Sequence, residues 1–488
     1  MLSIKQKFWL FLVCNLVLWS LVPLWRESLP MDTQEAMVWG KFCLFGTTKH
    51  PPLSGWLAYP FWLLFNHWDG AMYLLSQIFV ALGVVYIYRL AREFLSESKA
   101  VLAALLQFGI IYYNFSSVEY NVNVISLALW PMCAFYFWRG YKENKWRDWL
   151  FFGLFAGLNV LNKYACGVLF AALGLFVLFN KDARKLFKNI KVYVSAIFAL
   201  GIITPHLLWL YEHDFITFAY LSERSSGGNI TSFWRHFAYP LKFLGAQILF
   251  SAAALITYGV FYWRQTKEAF AGSQDKSQFL LIVGLVPLAI WLTISLISGN
   301  ALKSMWGFPC LFMVGIMLFY FLPWRVETKQ AQCFVATMAV WTTLFAVAYN
   351  VQIWLTKSER FHTNCPQVAA ELAQIWNNET GGAPLKYVGG DVWYSDMLAL
   401  YGANEIKPMI WLNPKANSWF DAADFAQKGA LVVVTDEAEY GRYQQQYGNN
   451  LSAPTQLNLT FKNYFGKTKE KQIYYGFYRS VKENTDEK

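Results

Sequence analysis

Two carboxylates, Asp32 and Glu35, stand three residues apart in a polar segment that follows the first apolar run. The same segment continues into Lys49 and His50, and a double proline at 51–52 comes next. A carboxylate can act as a general base toward a hydroxyl nucleophile, and a cation can neutralise a phosphate. The two prolines stiffen the chain and fix the approach of Lys49 and His50. The pattern predicts catalysis on a phosphate-bearing substrate, with Asp32 as the base and Glu35 in support.

The segment that holds these carboxylates, residues 26–69, is also strongly aromatic. Its aromatic side chains include Trp39, Phe42, Phe45, Trp56, Tyr59, Phe61 and Trp62. Such a composition favours amphipathic helices that lie along a membrane surface. A carboxylate on that surface is partly desolvated, which suits a general base. The alternative is that Asp32 and Glu35 are solvated loop side chains without a catalytic role.

Two lysines lie at the ends of apolar runs on the same predicted face. Lys163 stands in Leu161-Asn-Lys-Tyr-Ala165, next to Tyr164, and Lys303 stands in the segment 299–306. A lysine within a membrane costs roughly 3 kcal/mol at a helix centre, so it is a functional candidate by default. Both ammonium groups could neutralise an anionic phosphate. The alternative is an interfacial lysine whose side chain extends to the lipid headgroups.

The segment 205–240 holds three of the six histidines. His206, Glu212 and His213 do not have the spacing of a known metal site, so we assign no metal ligands, and a divalent metal stays an alternative without support from ligand spacing. Arg224, beside Ser-Ser-Gly-Gly, is a candidate clamp for phosphate or carboxylate, because arginine binds these groups bidentately. Its alternative is an exposed, flexible loop.

Glu119 lies at the end of the third apolar run, close to Asn121 and Asn123. These three polar side chains are candidates for lining one cavity. Simple helix capping by the asparagines explains the same residues equally well.

The elements that position these residues are predicted to be membrane helices. The chain of 488 residues is 56% hydrophobic and only 15% charged, whereas soluble proteins carry roughly 25% charged residues. Eleven spans can be drawn: 8–25, 70–88, 100–116, 122–138, 149–162, 165–180, 192–210, 241–262, 279–298, 307–323 and 333–354. The first is interpreted as a retained span and not as a cleaved signal peptide.

The basic residues predict the orientation of these spans. Although the net charge is +10, the lysines and arginines lie in short connections between apolar runs, which argues for membrane orientation and against nucleic acid as a partner. The basic connections are assigned to the cytoplasm. The 26–69 segment, residue 163 and the chain after about 355 are therefore expected on the periplasmic side.

The chain changes character after the last span. Residues 356–488 combine β-rich runs, such as 430–435 and 472–478, with helix-like stretches between them. This alternation predicts a small α/β domain. We expect a transmembrane domain over 1–355 and a periplasmic α/β domain over 356–488.

The order of the motifs resembles a known group. An acidic first loop, a Lys-His-Pro-Pro-Leu segment, a Lys-Tyr turn at 163–164, Pro-His-x-x-Trp at 205–209 and a small terminal domain follow one another. This is similar to the GT-C glycosyltransferases of the dolichyl-phosphate-mannose protein mannosyltransferase superfamily. Within it, the bacterial aminoarabinose and galacturonic acid transferases of lipid A and lipopolysaccharide core look most similar.

The resemblance implies a reaction and roles for the residues. It implies transfer of a sugar from an undecaprenyl phosphate donor to lipid A, lipopolysaccharide or a related glycan, at the periplasmic face of the bacterial inner membrane. The family's catalytic acid falls on Asp32. The residues expected to bind the donor phosphate or the substrate are Lys49, His50, Glu119, Lys163, Tyr164, His206, Arg224 and Lys303. Two alternatives are a protein O-glycosyltransferase that uses the same donor and a transporter of lipid-linked substrates.

Overall fold

The computed structural model describes residues 2–220, 232–402 and 405–479. Helices dominate the first 355 residues, and all five strands come later in the chain. The helices up to that point are α1 (Ile4–Leu21), α2 (Met31–Lys41), α3 (Leu53–Leu64), α4 (Gly70–Arg92), α5 (Glu97–Leu105), α6 (Val122–Glu143), α7 (Trp146–Asn162), α8 (Gly167–Phe179), α9 (Ile190–Glu212), α10 (Arg235–Phe250), α11 (Ala252–Arg264), α12 (Gln274–Ser298), α13 (Val314–Phe321) and α14 (Thr328–Leu355).

All eleven predicted spans coincide with helical segments. Within the described residues, five helices are long and apolar enough to cross a membrane, and eight if three bent pairs each count as one span. The bent pairs are Glu97–Gly109 with Ile111–Val118, Arg235–Phe250 with Ala252–Arg264, and Ser304–Leu311 with Val314–Phe321. The remaining segments are α6, α7 and the shorter apolar helix Tyr164–Phe179. The chain is therefore a multi-pass helical membrane protein.

Aromatic side chains and close helix contacts hold the bundle together. Trp130, Trp138 and Trp149 are each at most 1% exposed. Gly83 allows α4 to approach α6, because a Cβ atom at this position would lie 2.4 Å from the carbonyl oxygen of Leu127. Small residues at such crossings let helices pack by dispersion where lipid removes the hydrophobic driving force.

The basic connections gather at one end of the bundle. Lys142 pairs with Asp275 at 2.9 Å, and Lys276 donates to the carbonyl oxygen of Glu93 at 2.7 Å. Arg139 lies 3.5 Å from the buried carboxylate of Asp148. These groups lie near the end of α6 at Glu143, whereas Val122 at its other end lines the cavity described below. Because α6 has 22 residues, the two ends are roughly 33 Å apart.

The chain after Leu355 forms a small domain around a mixed sheet. Its helices are α15 (Glu359–His362), α16 (Cys365–Thr380), α17 (Val392–Tyr401), α18 (Ala422–Lys428) and α19 (Glu437–Tyr447). Its strands are β1 (Tyr387–Gly390), β2 (Lys407–Ile410), β3 (Ala430–Val434), β4 (Thr455–Lys462) and β5 (Thr468–Tyr478), in the order β2-β1-β3-β5-β4. Strands β2, β1 and β3 are parallel, and β5 is antiparallel to β3 and β4. The prediction of a terminal α/β domain is confirmed.

Polar contacts fasten this domain to the first connection of the bundle. Arg26 donates to the carbonyl oxygen of Arg360 at 2.7 Å, and Lys41 at the end of α2 donates to that of Ala399 at 2.6 Å. Asp69 accepts a hydrogen bond from the Tyr401 hydroxyl at 2.8 Å. Helix α17 thus lies beside the segment that carries Asp32.

Candidate active site

The segment that carries the two carboxylates folds into a pair of short helices, α2 and α3. Prolines at the N-caps, Pro30 and Pro52, begin both helices. Gly40 and Gly55 lie at their crossing, where a Cβ atom on Gly40 would stand 2.1 Å from the carbonyl oxygen of Gly55. Residues three apart share one face of a helix. Asp32 and Glu35 therefore point from the first turns of α2 to the same side.

That side is the wall of one large cavity, of about 1210 Å³. Ordinary ligand pockets measure roughly 300–1000 Å³, so this cavity has room for more than one small substrate. Seven of the ten predicted site residues line it: Asp32, Glu35, Lys49, His50, Lys163, Tyr164 and Lys303. Their positions range from 32 to 303 in the sequence, and folding brings them to one place.

Glu35 and Lys49 form an ion pair on this wall. The carboxylate side chain is 4% exposed and the lysine side chain 11%. Burial alone would lower the pKa of Lys49, but the charge and hydrogen bond of Glu35 outweigh burial and raise it. The positive charge of Lys49 is therefore largely balanced inside the protein. Glu35 is engaged in this pair, which fits a supporting role better than that of the base.

A third acidic group, Asp396 of α17, stands near this ion pair. It is 3% exposed. Burial raises the pKa of Asp396 well above its usual value, and the charge of Glu35 raises it further. Lys49 opposes this effect. The terminal domain thus contributes a carboxyl group to the electrostatics of the catalytic segment.

Asp32 is held by the polar residues after the third span. Its backbone N–H donates to Oε1 of Glu119 at 3.3 Å, and Nδ2 of Asn121 donates to its Oδ2 at 3.5 Å. Burial, and then the charge of Asp32, raise the pKa of Glu119 to about 8. Glu119 does not line the cavity but stands directly behind Asp32. Near neutral pH it carries its proton and adds no second negative charge there.

Lys163 and Lys303 are the cations of the cavity whose charge is not balanced at close range. Lys163 Nζ donates to the neutral Oδ1 of Asn123 at 2.5 Å. In the described ranges, no carboxylate lies within ion-pair distance of Lys163 or Lys303. The charge of Asp32 still acts on Lys163 at longer range. Two such ammonium groups beside a carboxylate suit an anionic substrate.

His206 supports the site from behind Tyr164. Its ring is fully buried, with Nδ1 2.7 Å from the carbonyl oxygen of Phe45 and Nε2 2.6 Å from the Tyr164 hydroxyl. Because a carbonyl oxygen can only accept, Nδ1 carries the proton and Nε2 accepts from the tyrosine. His206 thus orients Tyr164 and does not reach the cavity itself.

Two expectations concern groups outside this arrangement. Arg224, a predicted clamp, lies outside the described residues. Within the described part of the chain, no group of three or more His, Cys, Asp or Glu side chains is arranged to hold a metal ion.

The residues that sequence reasoning missed come largely from the terminal domain. Asp391, Trp411, Asn413 and Glu439 line the cavity together with the bundle residues. The sequence offered a turn at Asn413-Pro414 and no chemical motif around Trp411. The sequence did not indicate them because they lie far along the chain from Asp32, and a local sequence pattern does not predict a contact between domains.

Comparisons with known proteins agree with this fold. The model of the dolichyl-phosphate-mannose-protein mannosyltransferase family matches residues 49–209. The lipopolysaccharide core galacturonosyltransferases RgtB and RgtA of Rhizobium johnstonii are 23% identical over 295 residues and 22% identical over 317 residues. These alignments cover 59% and 64% of this chain, and 59% and 62% of the two relatives. The chain thus aligns with about three fifths of the length of each relative.

Solved structures extend the likeness over nearly the whole chain. ArnT from Cupriavidus metallidurans bound to undecaprenyl phosphate matches 96% of this chain and 97% of its own, with a TM-score of 0.63 at 12% identity. The apo form of the same protein matches with a TM-score of 0.62 at 13% identity. The chain thus shares the fold of ArnT, and its residues 49–209 match the model of the mannosyltransferase family.

Proposed function

We propose that the protein transfers a sugar from an undecaprenyl phosphate donor to lipid A, lipopolysaccharide or a related surface glycan. One observation carries the proposal: Asp32 shares a single large cavity with Lys163 and Lys303, two cations that have no carboxylate within ion-pair distance among the described residues. A carboxylate beside two such cations matches the needs of a hydroxyl nucleophile that displaces a phosphate.

The proposed reaction is a displacement at the anomeric carbon. The acceptor oxygen forms a bond to this carbon while the bond from the carbon to the phosphate oxygen breaks. Asp32 takes the proton of the acceptor hydroxyl, and the polyprenyl phosphate leaves with the bonding electron pair. Lys163 and Lys303 stabilise the negative charge that develops on the phosphate. In this scheme the anomeric configuration is inverted, as the resemblance to GT-C enzymes implies.

The choice of substrates rests on the proteins with which the chain was compared. The ArnT structure holds undecaprenyl phosphate, and the two curated relatives are named for the lipopolysaccharide core. The aromatic rings of the 26–69 segment favour a place at the membrane surface, where a lipid-linked donor presents its phosphate. We place this reaction at the periplasmic face of the bacterial inner membrane.

Substitution of Asp32 tests the proposal. Asp32→Asn keeps the shape of the side chain and removes its basicity, so transfer should fall roughly 10²–10⁴-fold. The assay is transfer from a labelled undecaprenyl phosphate sugar to rough lipopolysaccharide by the purified protein. Asp182→Asn is the matched control, because Asp182 is exposed and lies in a basic connection at the other end of the bundle. A near-normal rate in the folded Asp32→Asn variant would remove Asp32 from the role of base.

A further inference from the structure

The terminal domain contributes a half-buried tryptophan to the cavity. Trp411 follows β2, and its indole ring lies over the Lys49 ammonium, with Nζ 5.3 Å from the ring centroid. The ring also stacks on Tyr220, with centroids 6.3 Å apart and planes at 21°. The large tryptophans of the domain core, such as Trp393, are by contrast almost fully buried. Trp411 therefore presents part of its surface to whatever occupies the cavity.

The backbone at Trp411 is in a conformation that ordinary residues rarely adopt. Trp411 and Leu412 are consecutive non-glycine residues in the left-handed region, with φ of 56° and 46°. Such residues cost roughly 1–3 kcal/mol each and cluster at ligand-binding sites. A hydrogen bond from Trp411 N to Gly390 O at 2.9 Å and burial of the Leu412 side chain hold the turn in place. The turn that directs this ring toward the cavity thus lowers the stability of the fold.

Two carboxylates of the same domain accompany Trp411 on the cavity wall. Oδ1 of Asp391 caps α17 by accepting from the backbone N–H of Trp393 at 2.9 Å. Oε1 of Glu439 accepts from the Tyr443 hydroxyl at 2.8 Å. In each case the second carboxylate oxygen takes part in no hydrogen bond within the described ranges. Because ionised carboxylates only accept hydrogen bonds, these oxygens can accept from donors such as sugar hydroxyl groups.

We propose that Trp411, Asp391 and Glu439 form a sugar subsite on the terminal domain, which deepens the proposed function and rests on it. The indole face packs on the apolar face of a pyranose ring. The ring's hydroxyl groups donate to the two carboxylates. Their negative charges disfavour a uronic acid at this position, so the bound ring is a neutral or an amino sugar. That ring belongs either to the donor or to the acceptor, and both sources share this chemistry.

Binding to the full-length protein in detergent micelles tests the subsite without turnover. The probes are undecaprenyl phosphate, undecaprenyl phosphate galactose and rough lipopolysaccharide. Trp411→Ala should lower the affinity for one of the two sugar-bearing probes roughly tenfold. Trp411→Phe should retain most of that affinity. Binding of undecaprenyl phosphate alone should stay within about twofold of the wild type, since its phosphate lies with Lys163 and Lys303. A loss for the galactose-bearing lipid assigns the subsite to the donor, and a loss for lipopolysaccharide assigns it to the acceptor.

Phe465→Ala is the control for removal of an aromatic ring from the same domain, because Phe465 is 64% exposed and does not line the cavity. Unchanged affinities of Trp411→Ala for both sugar-bearing probes would overturn the subsite. An equal loss of affinity for undecaprenyl phosphate alone would do so as well, since Trp411 would then affect binding of the lipid phosphate and not of the sugar. If Trp411→Ala loses affinity for one sugar-bearing probe as expected and the wild type nevertheless transfers no sugar, the proposed function is contradicted and the subsite is supported.

Discussion

At the scale of single residues, the charges of the cavity divide into balanced and unbalanced groups. Lys49 forms an ion pair with Glu35, whereas Lys163 donates to the amide oxygen of Asn123 and has no ion pair within the described ranges. Lys49, which precedes His50 and the double proline, is predicted from the sequence to bind the donor phosphate. Its ion pair with Glu35 instead makes Lys163 and Lys303 the stronger candidates.

Removal of the Lys163 ammonium should weaken donor binding. Hydrogen bonds to charged groups contribute roughly 1.5–3 kcal/mol, so Lys163→Ala should raise the Kd for undecaprenyl phosphate about tenfold or more. Lys163→Arg should retain part of the affinity, because charge is kept while geometry changes. Titration of the purified variants with undecaprenyl phosphate measures this. Lys185→Ala, at an exposed position of a basic connection, is the control, and an unchanged Kd in Lys163→Ala would favour the headgroup-contacting alternative.

Glu119 should make stability depend on pH. Burial and the charge of Asp32 raise its pKa in the folded protein to about 8, above the ordinary value of 4.5. Its contribution to stability is therefore full below pH 4.5 and is lost as pH rises through about 8. Glu119→Gln keeps the shape and cannot titrate, so the variant should gain in melting temperature relative to the wild type across this window. Thermal unfolding in detergent at several pH values measures the gap, and parallel profiles for the two proteins would contradict the assignment.

At the scale of elements, the crossing of α2 and α3 fixes the positions of Asp32 and Glu35. Gly40→Ala would bring a Cβ atom against backbone atoms of Gly55, and overpacking of this kind costs roughly 1–3 kcal/mol. We expect a lower melting temperature and slower transfer. Gly174→Ala in α8 is the control, because a Cβ atom there meets nothing within 4 Å and alanine favours a helix. Equal melting temperatures for both variants would show that the crossing tolerates a wider spacing.

At the scale of the whole molecule, the two sets of connections lie at opposite ends of the bundle. The basic connections contact one another around Asp275 and Glu93, and the acidic first segment meets the terminal domain at the cavity. The cavity lies at one end of the bundle and the basic residues that set its orientation in the membrane lie at the other. The terminal domain lies at the end that holds the cavity.

A reporter fusion tests this orientation. A reporter that is active only in the periplasm, fused after Lys488, should be active, because the positive-inside rule places the basic connections in the cytoplasm. The same reporter inserted after Lys145, within a basic connection, should be inactive. Activity of a cytoplasmic reporter at Lys488 would contradict the eleven-span arrangement.

The sequence by itself determined the properties that depend on neighbours along the chain. Hydropathy identified the helical segments of all eleven predicted spans, because the free energy of transfer from water to lipid depends on the apolar residues within each segment. The aromatic residues of the 26–69 segment predicted helices along the membrane surface, and strand and helix patterns predicted the terminal α/β domain. The isolated lysines at 163 and 303 stood out because charge at membrane depth is expensive.

Only the tertiary structure decided which of these residues act on one another. Glu119 stands behind Asp32 although 87 residues separate them, and Lys49 meets Glu35 in an ion pair. Trp411 reaches Lys49 from another domain. These contacts depend on how helices and domains pack. Charges or rings that meet through such packing have no regular spacing in the sequence by which they could be recognised. The cavity residues of the bundle that carry charge could thus be predicted from the sequence, whereas the contribution of the terminal domain and the contacts among these residues required the fold.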